Sequence, residues 1–99
     1  LFDWAKAARQ SSKSEGGPAV NWVYVLRSVK VPEQIYTGLC ADVEARLKAH
    51  NSGQSSHTAK FKPWRLLSAH YFDDPQVAAR FERYLKSGSG RAFAAKRLR

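Results

Sequence analysis

Acidic residues are scarce in this chain of 99: eight Asp and Glu stand against seventeen Lys and Arg, a formal charge of +9. There is one cysteine, Cys40, so no disulfide can close within the chain and nothing calls for an oxidising compartment; a cytoplasmic setting is expected. No apolar run approaches the ~18 residues of a membrane span. Asp3, Lys6, Arg9 and Gln10 interrupt the first residues, so no secretory signal is read there. Cys-x-x-Cys and His-x-x-x-His spacings are missing, which argues against a zinc site built from Cys40, His57 and His70. Neither G-x-x-x-x-G-K nor G-x-S-x-G occurs, so a phosphate loop and a nucleophile elbow are excluded. Gly88-Ser89-Gly90 is the one glycine cluster of that kind, and alone it signals a turn. No internal repeat is present.

What remains is a globular composition in a chain long enough for a single domain, 43% hydrophobic with three Trp, four Tyr and five Phe. So large an excess of one charge favours a polyanionic partner, either nucleic acid or an anionic membrane surface, with nucleic acid ahead.

Residues 1–19 differ from the rest. Ser11-Ser12-Lys13-Ser14-Glu15-Gly16-Gly17-Pro18 has linker composition, and residues 2–9 suit a short helix with Asp3 as its N-cap. They are read as an extension, with Phe2 and Trp4 as anchors onto a domain over 20–99.

Residues 21–29, with Trp22-Val23-Tyr24-Val25-Leu26, form a strand buried on both faces. Residues 30–34, with Pro32, suit a hairpin loop, and residues 35–39 make its second strand. A helix follows over 42–51, begun by Asp42 and stopped by Gly53. Residues 52–63 are a long polar and basic loop, of the kind that often carries function in a small domain. A third strand covers 64–72. Asp74 and Pro75 then open a helix to about Lys86 whose apolar stripe is Val77, Ala78, Phe81, Tyr84 and Leu85, with Gly88 and Gly90 ending it. Residues 91–99 are a third helix or a basic tail. The expectation is an α+β fold, a small three-stranded antiparallel sheet flanked by helices in the order ββαβαα.

Several polar residues sit where this pattern expects apolar ones. Arg46 and His50 share the face of Val43 and Leu47, which is costly unless they are paired or reach a cleft. The bland alternative is an Arg that snorkels past Leu47 and a His that caps the helix end. Glu82 lies at the margin of the later stripe, and its ordinary role is an i,i+4 pair with Lys86. Tyr24 and Tyr36, on paired strands, are ordinarily sheet packing.

Taken together these positions resemble the GIY-YIG nucleases. Val23-Tyr24-Val25 and Tyr36-Thr37-Gly38 are similar to that family's paired tripeptides, with Val23, Val25 and Thr37 as departures. Ala45-Arg46-Leu47, then His50-Asn51-Ser52-Gly53, matches the helix with the family's arginine. Arg80-Phe81-Glu82 matches the later helix with its metal-binding glutamate. Lys62-Pro63-Trp64-Arg65-Leu66 and the stretch from Tyr84 to Arg91 resemble the small stand-alone bacterial members. Where some members carry a further tyrosine after the histidine, this chain has His57 and Thr58, and the asparagine that often follows the glutamate is missing.

The resemblance implies a metal-dependent endonuclease that hydrolyses phosphodiesters in nucleic acid, DNA ahead of RNA. Tyr24, Tyr36, Arg46 and His50 would be catalytic, and Glu82 would hold Mg²⁺ or Mn²⁺. Tyr24 would serve or position the general base, which requires nearby positive charge to favour a phenolate. Lys60, Lys62, Arg65, Lys86, Arg91, Lys96 and Arg97 are expected to contact the phosphate backbone, with little sequence preference. The alternative reading is a non-catalytic nucleic-acid-binding module of the same fold. A protein partner that selects the substrate is a third.

Overall fold

The computed structural model describes residues 19–99. The expected helix at 2–9, its Asp3 cap and the docking of Phe2 and Trp4 lie outside the described residues.

Three strands form one antiparallel sheet in the order β2-β1-β3: β1 Trp22–Ser28, β2 Ile35–Cys40 and β3 Trp64–Tyr71. The helices are α1 Val43–Ser52, α2 Ser56–Ala59, α3 Pro75–Lys86 and α4 Gly88–Arg97. The sheet is the middle layer, and β1 is buried on both faces as its composition requires. Alternation along β1 divides the core in two. Trp22, Tyr24 and Leu26 pack with Cys40, Val43 and Trp64, against which Leu47 and Tyr36 also lie. Val23 and Val25 pack on the other face with Ala78, Leu85 and Ala94. One layer is therefore closed by α1 and the other by α3 and α4.

A bulge at Val25/Leu26 in the β1–β3 pairing leaves Leu67 without a register partner. It resets the alternation of β3: Leu66 and Ala69 face the first cluster and Leu67 the second. This explains the lack of a clean two-residue period in that strand.

The caps match expectation. The Asp42 carboxylate accepts from the Ala45 amide at 3.1 Å, and Gly53 ends α1 at φ 82°, a conformation glycine adopts without Cβ strain. Asp74 accepts from the Gln76 amide at 2.9 Å, with Pro75 opening α3.

Three expectations are corrected. The 52–63 loop contains the one-turn helix α2, whose Thr58 is buried. Gly88 and Gly90 do not end α3; Ser87 does, and the same residue caps α4, its hydroxyl accepting from the Gly90 amide at 3.2 Å. Gly90 is required there for another reason. A Cβ on it would fall 1.6 Å from the Tyr84 carbonyl oxygen, so only glycine lets α4 turn so tightly onto α3. Finally, Tyr84 is exposed rather than part of the α3 stripe, and Glu82 takes the buried place.

Candidate active site

Tyr24, Tyr36, Arg46 and His50 come together on the α1 side of the sheet. Strand register places Tyr24 opposite Gly38. A Cβ on Gly38 would come within 2.6 Å of the Tyr24 hydroxyl, so the glycine of the second tripeptide is the floor on which the phenol lies. The His50 ring sits 4.8 Å from that of Tyr36 and 5.9 Å from that of Tyr24, centroid to centroid.

His50 has no solvent exposure, and both of its ring nitrogens are bonded. Nε2 lies 2.9 Å from the Tyr24 hydroxyl and Nδ1 lies 2.8 Å from the Thr58 hydroxyl. The Thr58 hydroxyl in turn donates to the Ser55 carbonyl at 3.4 Å. Read along this chain, the bonds assign the proton to Nδ1 and leave Nε2 as acceptor of the Tyr24 proton. Burial first, and then the charge of Arg46, lowers the His50 pKa, so the ring is held neutral. His50 is therefore not a surface cap of the helix end.

Tyr24 is almost fully buried. Burial raises its pKa to about 12, although the hydrogen-bonding Arg46 guanidinium opposes the shift. At neutral pH this side chain is a phenol and not a phenolate. Arg46 reaches the Tyr24 hydroxyl while remaining exposed itself, so its fork is open to an incoming anion.

Neutrality of the buried His50 and the half-buried His70 has a consequence for stability. Both His50 and His70 have lowered folded-state values, chiefly through burial. The unfolded chain therefore binds more protons as the pH falls through ~6.5. The stabilisation from these rings is complete above that pH and declines below it. The expected result is a His50 ring that remains neutral at pH 6.5 in NMR titration, with a urea midpoint that falls from pH 7.5 to 5.5. A His50 ring half-charged at pH 6.5 would contradict the buried network.

Glu82 stands apart from this cluster. It lies on α3, which packs against the opposite sheet face, and it is 9% exposed. Its carboxylate pairs with the Lys86 ammonium one turn on. Among the described residues no group of three or more His, Cys, Asp or Glu is placed to hold a metal.

Between the two lies an open cleft of about 460 Å³ that runs around edge strand β2. Tyr36 and Thr37 line it from the strand, His57 from α2, Leu85 and Lys86 from α3, and Arg91 from α4. The sequence missed this arrangement, and it missed Thr58 as the partner of His50. Both depend on contacts between segments far apart in the chain, and neither leaves a local signal. The backbone-contact candidates are all exposed and form two groups. Lys60, Lys62 and Arg65 flank the start of β3, while Lys86, Arg91, Lys96 and Arg97 lie on α3 and α4.

This geometry is a basic α+β domain with an Arg, a neutral His and paired tyrosines beside a cationic cleft. A family model described as the GIY-YIG catalytic domain matches residues 20–96, and the chain belongs to that nuclease family. It is 34% identical over 68 residues to a UPF0213 protein of Clostridium perfringens, covering 68% of this chain and 71% of that one. It is 37% identical over 71 residues to the structure-specific endonuclease subunit SLX1 of Debaryomyces hansenii. That match covers 65% of this chain, which spans 20% of the SLX1 length. No solved structure matches the chain. Among the described residues no helix is long and apolar enough to cross a membrane.

Proposed function

We propose that this domain is a divalent-metal-dependent endonuclease that hydrolyses phosphodiester bonds in DNA. The observation that carries the reading is the neutral, fully bonded His50 behind the Tyr24 hydroxyl, with Arg46 exposed at its front. A phenol pushed to about 12 is a poor base alone, yet it is an effective relay when an imidazole nitrogen waits for its proton. A substrate phosphate draws the Arg46 fork away from the Tyr24 hydroxyl. The freed oxygen then accepts a proton from the attacking water as its own proton passes to His50 Nε2. Arg46 and the Tyr36 hydroxyl hold the phosphate, whose negative charge grows as the water oxygen adds to phosphorus.

A single nearly buried carboxylate fits a hard, mostly hydrated ion such as Mg²⁺ or Mn²⁺, and the Lys86 ammonium marks the place a cation takes beside Glu82. Glu82 is the residue that would hold the ion, which when bound supplies Lewis acidity for the leaving oxygen.

DNA ahead of RNA is part of the same proposal, and the RNA substrates named below test it. The SLX1 relative is named as a subunit, which supports a protein partner that selects the substrate. A cytoplasmic setting is part of the same proposal, since the buried Cys40 needs no oxidising compartment.

Labelled single-stranded, duplex and branched DNA, with RNA counterparts, tests this in Mg²⁺, Mn²⁺ or EDTA. Cleavage of DNA with either cation and none in EDTA is expected. Binding without cleavage under any of these conditions would replace the proposal with a binding module.

A further inference from the structure

The cleft around β2 holds more positive charge than the reaction described above uses. Lys86, Arg91 and Arg99 line it from the end of α3, the first turn of α4 and the last residue of the chain. Glu33 is the one acidic side chain among its lining residues, and Lys86 is paired with Glu82, so Arg91 and Arg99 leave the lining side chains with a net positive charge. Among the described residues neither Arg91 nor Arg99 makes an ion pair. Arg91 also sits in the first turn of α4, which contains no acid. The positive end of a helix disfavours a cation, and a bound anion would offset that cost. The cleft is tied to the proposed reaction at both ends: Tyr36 belongs to the cluster around His50, and Lys86 pairs with Glu82.

We propose that this cleft is a second phosphate site, which seats a phosphate flanking the one held at Arg46 and Tyr36. The inference rests on the nucleic-acid reading given above. Two guanidinium forks and an ammonium suit the oxygens of a single phosphate group, and they contact no base edge. Bound there, the flanking phosphate fixes the strand in register around the edge of the sheet. That phosphate is either an internal phosphodiester or the monoester at a strand end.

The test is binding in EDTA, where no cutting occurs, of short fluorescein-labelled DNA duplexes read by anisotropy across a range of salt. Arg91→Gln combined with Arg99→Gln weakens binding about tenfold at 0.1 M salt and reduces the log affinity against log salt slope by about two. Arg83→Gln, exposed on α3 but outside the cleft, stays within about twofold on the same scale. A neutral methylphosphonate moved stepwise along the strand weakens binding of the parent at the phosphate held by Arg46 and at a flanking position, and the double variant loses the sensitivity at the flanking position alone. If the sensitive position is internal, the ligand is a phosphodiester. If removal of a terminal phosphate has the effect instead, the ligand is a strand end. A double variant that keeps the parent's slope and its full sensitivity at every position, with an unchanged thermal melt, overturns the proposal. Because no turnover is read, that failure is separate from failure of the nuclease reading, which appears as an intact positional effect without cleavage in metal.

Discussion

Replacing Glu82 with glutamine leaves binding of nucleic acid intact and lowers metal-dependent cleavage by about a thousandfold or more. Glutamine keeps the volume and removes the charge, so the packing of α3 beside Ala78 and Leu85 is retained. The i,i+4 pair with Lys86 is lost as well. Because Lys86 is half-exposed, that loss costs only a few tenths of a kcal/mol, far too little to unfold the domain. The measurement is cleavage rate at saturating Mg²⁺ or Mn²⁺, beside a circular-dichroism melt and an anisotropy titration. Undiminished cutting by Glu82→Gln would show that the carboxylate holds no metal. A loss of cutting that tracks loss of fold would place Glu82 in the core alone. Arg46→Ala serves as the comparison, since it removes the phosphate clamp from the other side of the edge strand.

The second large effect belongs to Tyr24→Phe. Removing one oxygen interrupts the proposed relay, and cleavage falls by a factor of about 10² to 10⁴. The same change strips His50 Nε2 of its partner inside the core, which costs about 1–3 kcal/mol of stability. The two losses are separable. His50→Gln, which can still accept from the phenol, keeps part of the parent's stability and none of the proton-accepting capacity. Denaturant midpoints and single-turnover rates measured together on both variants decide the matter. Full cutting by Tyr24→Phe would remove this tyrosine from the chemistry and leave it as packing.

Much of this architecture could be read from local pattern. The β-branched and aromatic run of β1, the Asp caps of α1 and α3, and Gly53 are each fixed by neighbours in sequence, and each stands where expected. The polar residues were harder, because their two readings do not exclude one another. Tyr24 is a core residue and also the centre of the cluster. Glu82 makes the ordinary pair with Lys86 and is also nearly buried. Periodicity measures which face a residue lies on, and it cannot measure what that face meets. The partner of His50 illustrates the limit. Thr58 reaches the imidazole only because one helical turn forms within the 52–63 loop, and the Trp64 indole secures that turn by donating to the Thr58 carbonyl at 3.0 Å. The junction at Ser87 was misread for a related reason. Gly88 and Gly90 are helix breakers by propensity, but the close approach of Tyr84 to Gly90 is a tertiary demand that overrides it.

The site is divided between the two sheet faces. Tyr24, Gly38, Arg46 and His50 all belong to a hairpin and the helix that follows it, a continuous stretch whose contacts close over short loops. Glu82 is supplied by α3, which packs on the far side of β1 and β2. Under the proposed function, the proton relay and the phosphate clamp therefore come from one layer and the carboxylate for an ion from the other. Hydrolytic competence on that reading requires both layers to be closed on the sheet at once.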